Sequence, residues 1–207
     1  MSGNVCTQKR YHRVIENRAD LKEWLRYEKA KYSGVTLLRS LLLLTESAII
    51  WKWQRRLRVV EYHLNTHHRI RYKFNLILLN KMAFRYGLHI PPNSCGKGLK
   101  IMHVGSVQVN AKSDVGEDCA FHINTALVSG GRDQGVPRIG NHVIVGAHAV
   151  LVGGVKIGDG VAIGANAVVT KSFEEENIAI AGSPAKKISN NGSSTWNKGW
   201  FRDENLG

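Results

Sequence analysis

From residue 107 to residue 169 the large apolar positions recur every sixth residue. Val109, Val115, Phe121 and Leu127 keep one register, and Ile139, Val145, Leu151, Ile157, Ile163 and Val169 resume it. Two residues before these stand small or β-branched side chains: Val107, Ser113, Cys119, Thr125, Val143, Ala149, Val155, Val161 and Ala167. The residue after is often glycine, as at Gly116, Gly140, Gly146, Gly158 and Gly164. A chain that makes a short strand, turns and repeats must bury one large aliphatic per strand. It also needs a small residue where the coil narrows and glycine where a corner demands unusual backbone. An antiparallel sandwich does not keep an invariant period. The pattern therefore predicts a β solenoid over 91–189. Between Leu127 and Ile139 the polar, glycine-rich run Ser129 to Gly135 predicts a loop at 129–137 that leaves the solenoid. Loops interrupting a rigid scaffold are common homes for binding residues.

Residues 1–90 follow a helical period instead. Asp20 with Glu23 reads as a capping box opening a helix through about Tyr32, ended by Gly34. Leu37–Leu44 is apolar apart from Arg39 and Ser40. A second helix runs from Ser47 to about Asn65, with Ile50, Trp53, Leu57, Val60 and Leu64 at helical spacing and Arg55, Arg56 and Arg58 between them. A third runs from Thr66 to Tyr86 on Ile70, Phe74, Ile77, Leu78 and Met82, closed by Gly87. Pro91-Pro92-Asn93 marks the linker. Residues 190–207 form a polar tail carrying Trp196, Trp200 and Phe201. The fold class is thus mainly β, a parallel solenoid preceded by an α-helical region.

Charge separates the two parts. The chain carries a net charge of +13, and residues 1–90 hold 18 Lys and Arg against 6 Asp and Glu. Such a segment, with Trp24, Trp51 and Trp53 among its cations, suits an anionic membrane surface, a polyanionic acceptor or an ordinary solvated face. No helix-turn-helix or stacking platform supports nucleic-acid binding. The apolar run Val35–Ile50 is sixteen residues long and contains Arg39 and Glu46, too short and too charged to span a bilayer. Cys6, Cys95 and Cys119 form no CxxC pair, so neither a disulfide framework nor a metal site is expected. The N-terminus lacks the layout of a signal peptide, and a cytoplasmic protein, peripheral at most at the inner face of the membrane, is expected.

Specific strings go further than the period. From about Gly87 to Ser189, the chain resembles the hexapeptide-repeat acyltransferases and, within them, the serine acetyltransferase family. The likeness is carried by Gly96-Lys97-Gly98-Leu99-Lys100-Ile101-Met102-His103, the loop at Gly130-Gly131, Ile163-Gly164-Ala165-Asn166-Ala167-Val168-Val169 and Ala181-Gly182-Ser183-Pro184-Ala185-Lys186. The resemblance implies a left-handed β-helix, a homotrimer, and acetyl-CoA as co-substrate in a groove between neighbouring prisms. His103 matches the family's catalytic histidine. A hydroxyl is a poor nucleophile, and a neutral imidazole placed on it takes its proton during attack on the thioester. In strict register His103 would fall in an inward slot, so a register shift near Gly105 is expected, turning it to a cleft.

His122 lies about one coil after His103, at a corner position where glycine is usual. It orients His103, contacts the acceptor, or is a solvated corner. His142 and His148 point outward and read as surface or subunit contacts. Gly130, Ala147 and Ala165 match positions against which the family packs the cofactor, although Ala147 also suits the plain repeat. Lys171 and Lys186 either meet the CoA phosphates or are surface lysines. The chain also departs from the family. Met102 stands where an acidic residue precedes the base, Val136 where a second histidine precedes a proline, and Leu88 near the acid that orients the base. An acetyl-CoA-dependent O-acetyltransferase is expected, acting on a sugar of a capsular or exopolysaccharide or of a lipid-linked glycan. Serine O-acetylation is the alternative. A non-catalytic trimeric scaffold is disfavoured by His103 and the intact Gly182-Ser183-Pro184-Ala185.

Overall fold

The six-residue repeat folds as a three-sided solenoid of parallel strands, seen in a computed structural model that describes residues 12–32, 45–131 and 135–195. Leu37–Leu44, Gly34 and the aromatic part of the tail fall outside the described residues. The first face stacks β1 (Leu88–His89), β3 (Val107–Val109), β6 (Thr125–Val128), β9 (Val150–Val152) and β12 (Val168–Val169). The second holds β4 (Asp114–Val115), β7 (Arg138–Ile139) and β10 (Lys156–Ile157). The third holds β2 (Lys100–Ile101), β5 (Ala120–Phe121), β8 (Ile144–Val145), β11 (Ala162–Ile163) and β13 (Ala179–Ala181), and β14 (Lys186–Ser189) closes it as an antiparallel edge.

Register follows the repeat. Val107 pairs with Thr125 and Val150 with Val168, 18 residues on, which is three strands of six. Across the 129–137 loop the step grows to 24, as in Ala126 with Val150 and Asp114 with Arg138. One strand's worth of chain leaves the prism there, and the coil resumes in register. The large inward residues from Val109 to Val169 and their small companions are buried throughout. At about 1.5–3 kcal/mol for each large aliphatic withdrawn from water, this column is the main force holding the coils together.

The glycines have a different reason from the one expected. Gly116, Gly140, Gly146, Gly158 and Gly164 are not at left-handed backbone. A Cβ on Gly116 would instead sit 2.6 Å from the backbone carbonyl of Gly140 in the next coil, so close stacking excludes a side chain. The left-handed corner lies two residues further on, at Asp118, Asn124, His142, His148 and Asn166, with φ between 55° and 61°. Asn, Asp and His tolerate that conformation best after glycine. Asp118, His142, His148 and Asn166 then donate their N–H to the preceding coil, as His142 does to Glu117 O at 2.8 Å.

Among the described residues three helices precede the solenoid: α1 (Arg18–Ala30), α2 (Glu46–Asn65) and α3 (Arg69–Tyr86). Asn17, not Asp20, caps α1, its Oδ1 accepting from Ala19 N and Asp20 N. Asp20, at the third helical position, accepts from Glu16 N at 3.0 Å, one residue before the cap, so the cap lies three residues earlier than expected. Glu23 is drawn away to Arg13 and Lys97. α3 likewise starts at Arg69 rather than Thr66, because His67 takes a left-handed turn at φ 58°.

The open end of a solenoid presents unpaired backbone groups, and α2 covers them. Arg58 donates to Cys95 O at 3.0 Å and Gly96 O at 2.7 Å, and Gln54 Nε2 donates to Leu99 O at 2.8 Å. Arg58 is fully buried and neutralised by Glu28 at 2.7 Å and Glu61 at 2.9 Å. One core runs from Tyr32, Ile50, Trp53 and Leu57 through Leu88 to Val169 and Ile180. One expectation for the helices fails: Trp24, Trp51 and Trp53 are buried and present nothing to a membrane. Ile70, Phe74 and Ile77, part of the pattern that predicted α3, point to solvent, and Asn75, Leu79 and Ala83 are the buried face of that helix.

Candidate active site

After β2 the chain gains two residues before re-entering the prism: Ile101 pairs with Phe121, 20 residues on, while Val107 pairs with Thr125 at 18. The expected register shift is therefore present. Ile101 keeps the inward slot and His103 is pushed out, its side chain 55% exposed. Gly105, at φ 152°, lies against Ile123 of the next coil, where a Cβ would come within 2.4 Å of the side chain.

His122 stands in the coil below at the position that Gly146 and Gly164 take further along, since its N–H donates to Val145 O as that of Gly146 does to Ile163 O. The two imidazoles are 6.3 Å apart between ring centroids. Burial, and secondly the neighbouring His103, lower the His122 pKa, which favours its neutral form. Both rings thus share one edge of the prism.

Leu88, near which the family's acid was expected, is buried in the core. The carboxylate beside His103 is that of Glu46, the first residue of α2, held there by the Thr45 cap whose Oγ1 accepts from Ala48 N at 3.2 Å. Glu46 Oε2 lies 3.2 Å from His103 Nδ1, and its Oε1 accepts from Val104 N at 2.6 Å. A carboxylate only accepts, so in the neutral imidazole Nδ1 is the protonated nitrogen and Nε2 carries the lone pair. The edge therefore presents an imidazole of defined tautomer. The sequence signal was slight: one acidic residue after a threonine in an otherwise apolar run.

The remaining expected residues divide between two edges. Ala147 and Ala165 continue the histidine edge, with Asn166 N donating to Ala147 O at 2.9 Å; Ala165 is exposed and Ala147 half-buried. Gly130 and Lys171 lie on the next edge, across the first face, where they line a cleft of about 330 Å³ with Gly153 and Ser172. Lys171 Nζ sits 5.4 Å from the Phe173 ring centroid. Lys186 is exposed at the start of β14. His142 and His148 are outward, as expected, and serve as left-handed corners. Met102 and Val136 are half-buried.

A prism of six-residue coils with an outward imidazole on one edge defines a hexapeptide-repeat transferase, and the family model for bacterial transferase hexapeptide (six repeats) matches residues 137–171. The serine acetyltransferase of Helicobacter pylori (strain ATCC 700392 / 26695) is 35% identical over 125 residues, 58% of this chain and 72% of that protein. That of Mycobacterium tuberculosis (strain ATCC 25618 / H37Rv) is 31% identical over 141 residues, 67% of this chain and 55% of that protein. A solved serine acetyltransferase in complex with coenzyme A, from Brucella abortus strain S19, matches with a TM-score of 0.64 at 22% identity over 84% of this chain and 70% of that one, a likeness of fold. The chain belongs to the serine acetyltransferase family of hexapeptide-repeat acyltransferases.

Proposed function

We propose that the protein is an acetyl-CoA-dependent O-acetyltransferase in which His103 is the general base and Glu46 its orienting partner. The observation that carries this reading is the His103–Glu46 pair, set outward beside His122 on the edge that continues through Ala147 and Ala165. His103 Nε2 takes the proton of the acceptor hydroxyl as its oxygen attacks the acetyl carbonyl, and returns a proton to the departing CoA thiolate. The imidazolium formed in between is stabilised by the Glu46 carboxylate. Donor choice is supported by the family and by the coenzyme A held in the Brucella structure. Left-handed winding and a homotrimer go with the same family reading. A trimer also accounts for the separation of Gly130 and Lys171 from the histidine edge: the edge of one prism and that of its neighbour together form the groove.

The acceptor that fits this edge is an uncharged hydroxyl, such as that of a sugar. The family resemblance places Met102 and Val136 where polar anchors for an amino acid stand, and neither side chain can hold an ammonium or a carboxylate. Serine is the second reading, favoured by the relatives that are serine acetyltransferases. Thiol release from acetyl-CoA, measured across serine, free sugars and lipid-linked glycans, tests both. A sugar or glycan should give the higher kcat/KM, and His103→Ala should lower kcat by about 10²–10⁴-fold with acetyl-CoA affinity retained. Saturable serine acetylation that outpaces every glycan would reverse the acceptor assignment, and near-normal turnover by His103→Ala would remove the base.

A further inference from the structure

α3 is apolar on two opposite faces. Tyr72, Leu76, Leu79 and Met82 pack against the core. The other side carries Ile70, Phe74, Ile77 and Phe84, which are 86%, 62%, 57% and 78% exposed. These positions fall on one line along the helix, about 21 Å long at 1.5 Å per residue, with Lys81 filling the gap in the row. A contiguous row of large side chains left in water marks an interaction surface. Every charged residue of α3 is a cation: Arg69, Arg71, Lys73, Lys81 and Arg85.

We propose that this face of α3 is a docking surface for an anionic lipid bilayer, lying in its interface with Phe74 and Phe84 inserted and the cations at the headgroups. The charge pattern selects the occupant. A second copy of the chain laid face to face would bring five cations against five with no acidic residue of α3 to pair them, whereas anionic headgroups complement them. Among the described residues no helix is long and apolar enough to cross a membrane, so the contact is with the surface. The position of the face gives it a use. Phe84 packs edge-on against His89 of β1, their ring centroids 5.5 Å apart, and Gly87, which ends α3, is packed so closely on Gly105 and Ser106 that a Cβ there would lie 3.0 Å from their backbone. The docked helix therefore ends at the loop bearing His103, holding that edge near the membrane, where a lipid-borne acceptor would be presented. This last consequence rests on the function proposed above; the docking itself does not.

The test is co-sedimentation of the full chain with phosphatidylcholine vesicles, with and without phosphatidylglycerol. The protein should bind only the anionic vesicles and release at high salt. Lys73→Gln with Lys81→Gln should lower partition by about fivefold per cation. Phe74→Gln with Phe84→Gln should lower it by about tenfold or more while keeping the thermal transition and thiol release with a soluble acceptor. Vesicle binding needs no turnover, so it stands or falls apart from the transferase reading. Three results would overturn the proposal: no binding of the wild-type chain to anionic vesicles, equal binding by the phenylalanine variant, or ultracentrifugation showing that the wild-type assembly is larger than that of the variant, which would mean that a second copy covers the face.

Discussion

Glu46→Gln separates the chemistry of the site from its folding. Glutamine retains a carbonyl to accept from Val104 N, so the loop is kept, while the charge facing His103 Nδ1 at 3.2 Å is lost. At that distance two unit charges attract by roughly 1 kcal/mol in water and roughly 5 kcal/mol at an effective dielectric of about 20. Both side chains are about half exposed, 55% for His103 and 47% for Glu46. In the resting protein solvent screens the pair, and the substitution should change folding stability by less than about 1 kcal/mol. Substrates that cover the edge displace that water just as His103 becomes an imidazolium, moving the interaction toward the upper figure. A loss of about 100-fold in kcat, close to 2.7 kcal/mol, is expected, with KM for acetyl-CoA nearly unchanged. Steady-state thiol release and a thermal melt on the same preparation are the assay. A kcat within about twofold of wild type would show that Glu46 does not act on the base. A lost transition in the melt would show that its role is structural.

Two further outcomes follow from the packing and the charges. Gly116→Ala should destabilise the protein by about 1–3 kcal/mol in chemical denaturation, because its Cβ would meet Gly140 at 2.6 Å, whereas Gly131→Ala, with nothing within 4 Å, should be close to neutral. Equal effects at the two sites would refute close stacking as the reason for the repeat glycines. Burial, with Lys31 second, lowers Lys100 to about 8 from 10.5. Between those values the unfolded chain binds a proton that the folded chain does not, so this group makes stability rise with pH across that window. Denaturant titrations of wild type and Lys100→Met should differ by that slope, and parallel curves would count against it; Cys95, which burial raises to about 12, pulls the other way but is common to both proteins.

By itself the sequence determined the solenoid, its looped-out segment and the outward placement of His103 and His122, while the first strand, Leu88–His89, lies before the expected start at residue 91. The reason is that each coil repeats one local requirement, a large inward residue every six positions, and a repeat that buries its neighbours needs no distant information. The role of the corner glycines was misread because their spacing is visible while the backbone passing 2.6 Å away belongs to another coil. Only the tertiary structure decided which carboxylate meets His103. Glu46 lies 57 residues before His103 and reaches it because α2 caps the first coil, an arrangement set by buried bonds from Arg58 and Gln54 to backbone carbonyls rather than by any motif. The same holds for α3. Apolar positions on both sides of a helix give periodicity no means of choosing the buried side; packing against the core chose Leu79 and left Phe74 in solvent.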